Sequence, residues 1–195
     1  MAYPTADDLR LMVAHPAAFT ADETARAQLL ISLAVGQVED ETGQPLTQST
    51  DTVLLDGPGP DDRWWEAGRG CRKLILPRWP VSAVASVTLI EDDEVLTEGP
   101  AADYTWSASG LLTRRGGWWP TGDQAIEIVY TAGYDPVTDG VRRVILRLAS
   151  SAWSNPGLLA SETLGDHSRS WSAAELGMSL TDSERRALGY YRART

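Results

Sequence analysis

The stretch Ala125–Ser150, "AIEIVYTAGYDPVTDGVRRVILRLAS", changes its period in the middle. Its first part, through Val129 and Tyr130, is a β-branched and aromatic run that reads as a strand. After "GYDP" the apolar residues fall three, four, seven and eleven positions from Val141, at Val144, Ile145, Leu148 and Ala152, which is the spacing of one helical face. Thr138 or Asp139 can cap this helix, and "NPG" at Asn155–Gly157 ends it. A strand that closes a β-rich segment therefore feeds a core helix.

Upstream, from Ser49 to Thr131, "TVLLDG", "CRKLILPRWP", "VASVTLI", "EVLTEG", "DYTWS", "GLLTR" and "AIEIVYTAG" succeed one another as short strand-like runs with turn formers between most of them. "EDDEV" reads as a hairpin with Asp92 and Asp93 in its turn. Before this β-rich middle, Thr5 caps a short helix that puts Leu9, Met12 and Val13 on one face. Thr20 and Glu23 have capping-box spacing, so a second helix runs from Ala21 to Thr42 and stops at Gly43. Its apolar stripe is read as Ala25, Leu29 and Leu33 with Leu30, Ala34 and Val38. After the third helix, residues 158–181 are small, polar and weakly periodic, an extended arm. "TDSERRALGYYRART" then forms a short helix capped at Thr181, with Glu184 three residues on. The expected class is α+β: a small helical core (N-terminal helices 5–14 and 21–42 with one at 138–153), a β-rich insert at 49–131, and an extended C-terminal arm. Residues 1–157 form the core and 158–195 the arm with its short helix.

The chain of 195 residues carries a net charge of −10, and residues 1–62 hold eleven acids against only Arg10 and Arg26. Such a block repels a phosphate backbone, so binding nucleic acid by charge neutralisation is not expected. No apolar run approaches the roughly 20 residues of a membrane helix, and "MAYPTADDLRLMVAH" lacks the pattern of a secretory signal. No membrane partner is expected, and synthesis is placed in a cytoplasm. Catalytic and metal chemistry find little support. His15, His167 and the single cysteine, Cys71, lie in different kinds of segment, and Cys71 reads as a small core residue. "DHS" at Asp166–Ser168 holds triad residue types, but neighbours on one strand point apart. "GPGPDD" and "GRGCRK" lack the lysine and hydroxyl ending of a nucleotide loop. No enzyme activity, cofactor or metal is expected.

Eight tryptophans are many for this length. Trp79, Trp106 and Trp153 read as core filling. The pairs Trp64–Trp65 and Trp118–Trp119 sit in connections and read as interface candidates, because tryptophan brings much contact area on two rotors. Their other reading is a flat platform for sugar, which makes a carbohydrate-binding β-module the competing class. Arg185, Arg186, Tyr190, Tyr191, Arg192 and Arg194 form an arginine–tyrosine surface of the kind enriched at interfaces.

Taken in order, "TADDLRLMV", "FTADETARAQLLISLAVGQVEDETGQPL", "LILPRWPVSAVASVTLIEDDEVLTEGPAADYTWS", "IEIVYTAGYDPVTDGVRRVILRLASSAWSNPG" and "SETLGDHSRSWS" resemble the head–tail connector (adaptor, or head-completion) proteins of long-tailed bacteriophages and related gene-transfer particles. The β portion is larger than in the shortest family members. The resemblance implies a structural virion protein, found in the neck between head and tail and assembled in the host cytoplasm. Twelve copies would ring beneath the portal protein, extend the DNA channel without sequence-specific binding, and dock the next neck or tail-completion protein. It also implies that the C-terminal segment touches the portal. Trp171, in the "SRSWS" arm, joins the interface candidates.

Overall fold

The computed structural model describes residues 3–57, 72–155, 161–164, 167–170 and 178–193. Two compact units divide the chain: Met1–Leu46 with Asp135–Arg192 is helical, and Thr47–Tyr134 is built of strands. The helical unit is thus assembled from both ends of the sequence. Residues 178–192, expected to lie apart from the core in the arm, belong to it.

In the helical unit, α1 (Ala6–Met12) and α2 (Ala21–Thr42) begin with capping boxes: Thr5 with Asp8, and Thr20 with Glu23. Each box satisfies two helix-end N–H donors reciprocally. Gly43 ends α2 in the left-handed region at φ 68°, where a side chain would be strained. α3 (Asp139–Ser154) buries Val141, Val144, Ile145, Leu148 and Ala149 as its period requires. Thr138 holds its N-cap position without a side-chain bond to the helix backbone. α4 (Asp182–Leu188) repeats the capping box with Thr181 and Glu184 and continues into a 3-10 turn, Gly189–Tyr191. Part of the expected arm is a hairpin: β8 (Ser161–Leu164) pairs antiparallel with β9 (His167–Ser170).

Two expected faces are corrected. On α2 the buried stripe is Ala27, Ile31, Ala34, Val38 and Thr42, whereas Ala25, Leu29 and Leu33 are exposed. α2 carries apolar residues on two opposite sides, and periodicity alone does not say which side meets α3. On α1, Leu9 is buried but Met12 is exposed, because the helix ends there and Val13 leaves the helical path. Side-chain ties complete the unit. Arg142 on α3 reaches Asp8 at 3.5 Å. Phe19 stacks on Trp153 at 4.7 Å, with the Arg26 guanidinium 4.5 Å from the same indole and donating to the Trp153 carbonyl at 3.1 Å.

The strand unit holds two antiparallel sheets. One has the order β1 (Ser49–Leu55), β7 (Ile126–Ala132), β3 (Val81–Leu89), β4 (Glu94–Val95); the other is β2 (Lys73–Ile75), β6 (Leu111–Arg114), β5 (Tyr104–Trp106). Central strand β7 alternates, with Ile126, Ile128, Tyr130 and Ala132 buried. They share one cluster with Val81, Val87, Leu89, Leu76, Tyr104 and Leu112, so both sheets cover a common core. The β3–β4 hairpin turns where "EDDEV" suggests, with Asp93 at positive φ. Cys71 lies outside the described residues.

Gly133 follows β7 at φ 108°, donating its N–H to the Pro80 carbonyl at 2.9 Å. A Cβ there would strike the Thr47 carbonyl. Both the backbone angle and the close approach demand glycine. Gly133→Ala should cost about 2 kcal/mol or more in urea unfolding followed by tryptophan fluorescence.

Candidate assembly interface

The tryptophan pair lies in the connection between β6 and β7, and its two rings part: one enters the core and the other leaves it. Trp119 is only 2% exposed, and its indole N–H donates to the Arg72 carbonyl at 3.0 Å. The Arg114 guanidinium lies 5.8 Å from that ring. Trp119 is a core residue, which removes it from the surface offered to a partner and corrects its expected role. Trp118 is 46% exposed, with the Arg72 guanidinium 4.6 Å from its ring centroid. A paired sugar platform is not formed here, since one ring is buried and a cation lies over the other. Trp79, Trp106 and Trp153, expected as core fillers, are half-buried; Trp106 packs against the strand core, and Trp119 is fully buried in it. Trp64, Trp65, Trp171 and Arg194 lie outside the described residues.

The C-terminal candidates come together on the helical unit. Leu188 is buried and anchors α4, while Glu41 of α2 pairs with Arg192 and, at 3.6 Å, with Arg185. Gln44 donates to the Tyr191 carbonyl at 2.6 Å, and the Tyr191 hydroxyl meets Thr138 at 3.0 Å. Tyr191 thus ties the turn down. Tyr190, edge-on to it at 5.2 Å, stands 71% exposed, and Arg185, Arg186 and Arg192 are exposed around it.

Glu184 holds α4 in place. Its carboxylate takes two bonds from Arg147, at 2.6 and 2.8 Å, and one from the Thr181 N–H at 2.9 Å. Burial raises its pKa, but the Thr181 N–H, the Arg147 guanidinium and the Thr181 hydroxyl together outweigh burial and hold it below the ordinary glutamate value. A depressed folded pKa stabilises above the unfolded value, and that contribution is lost as pH falls through the folded one.

Sequence reasoning missed a second surface. The exposed face of α2 presents Leu29 and Leu33, 58% and 53% accessible, and a separate open groove of about 400 Å3 lies on another side of the helix, lined by Tyr3, Pro4, Ala6, Gln28, Ser32 and Val35 among others. The signal for it was present in "ARAQLLISLAVG", which has more apolar residues than one helix face can hold. Among the described residues no cluster of three His, Cys, Asp or Glu is arranged to hold a metal, and no helix is long and apolar enough to cross a membrane. His15 meets the Ala17 carbonyl at 3.0 Å through Nδ1, and lies 3.7 Å from Glu23.

No protein-family profile matches the chain, and no curated protein matches it in sequence. Solved structures do match its fold. A chain from the virion of a native gene transfer agent (GTA) particle is 14% identical with TM-score 0.59, the match covering 97% of this chain and 89% of that one. A chain from the neck of an empty GTA particle, computed with C6 symmetry, is 15% identical with TM-score 0.56 over the same shares. One from the neck of a native GTA particle, computed with C12 symmetry, is 15% identical with TM-score 0.53, covering 88% and 84%. The α+β architecture of this chain is thus the fold of chains in GTA necks.

Two measurements check the site. Trp119→Ala should cost about 3–5 kcal/mol in chemical unfolding, and Trp118→Ala less than about 1 kcal/mol. Glu184→Gln should lower the thermal midpoint at pH 6, and its difference from the native protein should shrink as melts are taken down to pH 3.

Proposed function

We propose that this chain is a structural neck component, a head-to-tail adaptor that forms a ring of about twelve copies beneath a portal. The observation that carries this reading is the fold likeness, which spans 97% of this chain and 89% of a virion chain rather than one common motif. The symmetry stated for the neck structures, C6 and C12, supports a ring. A ring of identical copies needs two different faces that close by rotation, so the unit must be asymmetric. In this reading the C-terminal surface with Tyr190 and Arg192 meets the portal, and Trp118 on the strand unit meets a neighbour or the next neck protein.

DNA passes such a ring without being read. The charge of −10 suits a channel wall that repels phosphate and does not hold it. The chain acts through its surfaces and through closure, with no chemical step.

Native mass spectrometry over a concentration series, with negative-stain images of the same samples, tests the proposal. Closed rings of about twelve copies are expected, alone or when portal is added. A protein that stays monomeric even with portal present would refute it.

A further inference from the structure

We propose that the exposed face of α2 is the side-to-side contact with the next copy of this chain, received by the α3 and α4 side of that neighbour. The inference rests on the ring reading and assigns its lateral surfaces. Leu29 and Leu33 stand one turn apart on α2, opposite the stripe of Ala27, Ile31, Ala34 and Val38 that packs within the unit. A helix apolar on both sides is the pattern of one buried between two layers. The described residues supply one layer only.

Charge identifies the second layer. Asp22 and Asp40 lie on the same outward face as Leu29 and Leu33, one toward each end of α2, and both are exposed. Neither has an ion-pair partner among the described residues. α3 presents its own buried residues, Val141, Val144, Ile145 and Leu148, toward the interior of the unit, so its outer face points away from that of α2. There Arg143 is exposed and likewise without a carboxylate partner among the described residues. On α4, tied to α3 through Glu184 and Arg147 and to α2 through Arg185 and Glu41, Arg186 is exposed, and among the described residues its side chain bonds a backbone carbonyl, that of Asp182. The outward face of α2 is thus apolar with acidic ends, while α3 and α4 each expose a cation that has no carboxylate partner among the described residues. Two different, complementary faces pointing in different directions give a head-to-tail contact that propagates from copy to copy and closes by rotation. Twofold pairing would instead require one face to match itself.

Mixing two charge-reversed proteins tests this directly. Asp22→Arg with Asp40→Arg gives one protein, and Arg143→Asp with Arg186→Asp gives the other. Each alone should associate at least tenfold more weakly than the native chain in native mass spectrometry, with thermal midpoints unchanged. Equimolar mixing should restore assembly, since alternating copies match at every contact of an even-numbered ring. Leu29→Glu with Leu33→Glu should weaken assembly at least tenfold and not be rescued by mixing. Rings that persist in all three variants would overturn the inference and leave the ring reading standing. A native chain monomeric to millimolar concentration would overturn the inference, and the ring reading would fall only if portal also produced no ring. A photo-crosslinker at Leu33 in mixed isotope-labelled copies should join different copies; linkage only within one copy would show that the chain covers this face itself.

Discussion

The strand unit depends on the close approach of Gly133 to the Thr47 carbonyl. Around that point several chain segments are fastened within a few residues. Gly133 donates to Pro80, Gln48 donates to the Tyr134 carbonyl at 3.2 Å, and Thr47 and Tyr134 form a parallel bridge. Arg78 reaches the carbonyl of Thr47 at 2.9 Å and that of Ala132 at 3.4 Å, while its other nitrogen binds Ser49 and Asp51. The ends of β1, β3 and β7 are thereby held in register where the sheet is most exposed to fraying. The absence of a single methyl group allows it.

The helical unit is held by a different means. Its core is modest, and charged and aromatic ties close its corners: Arg142 to Asp8, Arg147 to Glu184, Arg192 to Glu41, and Arg26 against Trp153. Partly buried pairs of this kind fix geometry more than they add stability, because desolvation offsets much of the attraction. That suits a part that must present surfaces in fixed directions. The capping boxes on α1, α2 and α4 act to the same end by setting where each helix starts.

Much of the fold was legible because it is encoded locally. Thr20, Glu23 and Gly43 mark α2 to the residue, and the seven β runs emerged because turn formers separate them. The surfaces were less legible because they depend on what lies across a gap in sequence. Leu29 and Leu33 have the same chemistry as core residues, and only the position of α3 shows that they face outward. Trp118 and Trp119 are adjacent and identical, yet one is exposed and the other buried, and nothing in the local sequence says which. Gly133 stood in the quoted "YTAGY" run, but its reason is Thr47, more than eighty residues away.

The strand unit is an insertion whose two ends meet. Leu46 hands the chain to Thr47, and Tyr134 returns it to Asp135, with Thr47 and Tyr134 bridged as neighbours. Bridged residues sit about 5 Å apart. The helical unit therefore closes on itself across a gap that two or three residues could span. Such a chain is modular in the sense that matters for diversification: the strand unit can be enlarged, exchanged or lost without re-threading the helices that carry it.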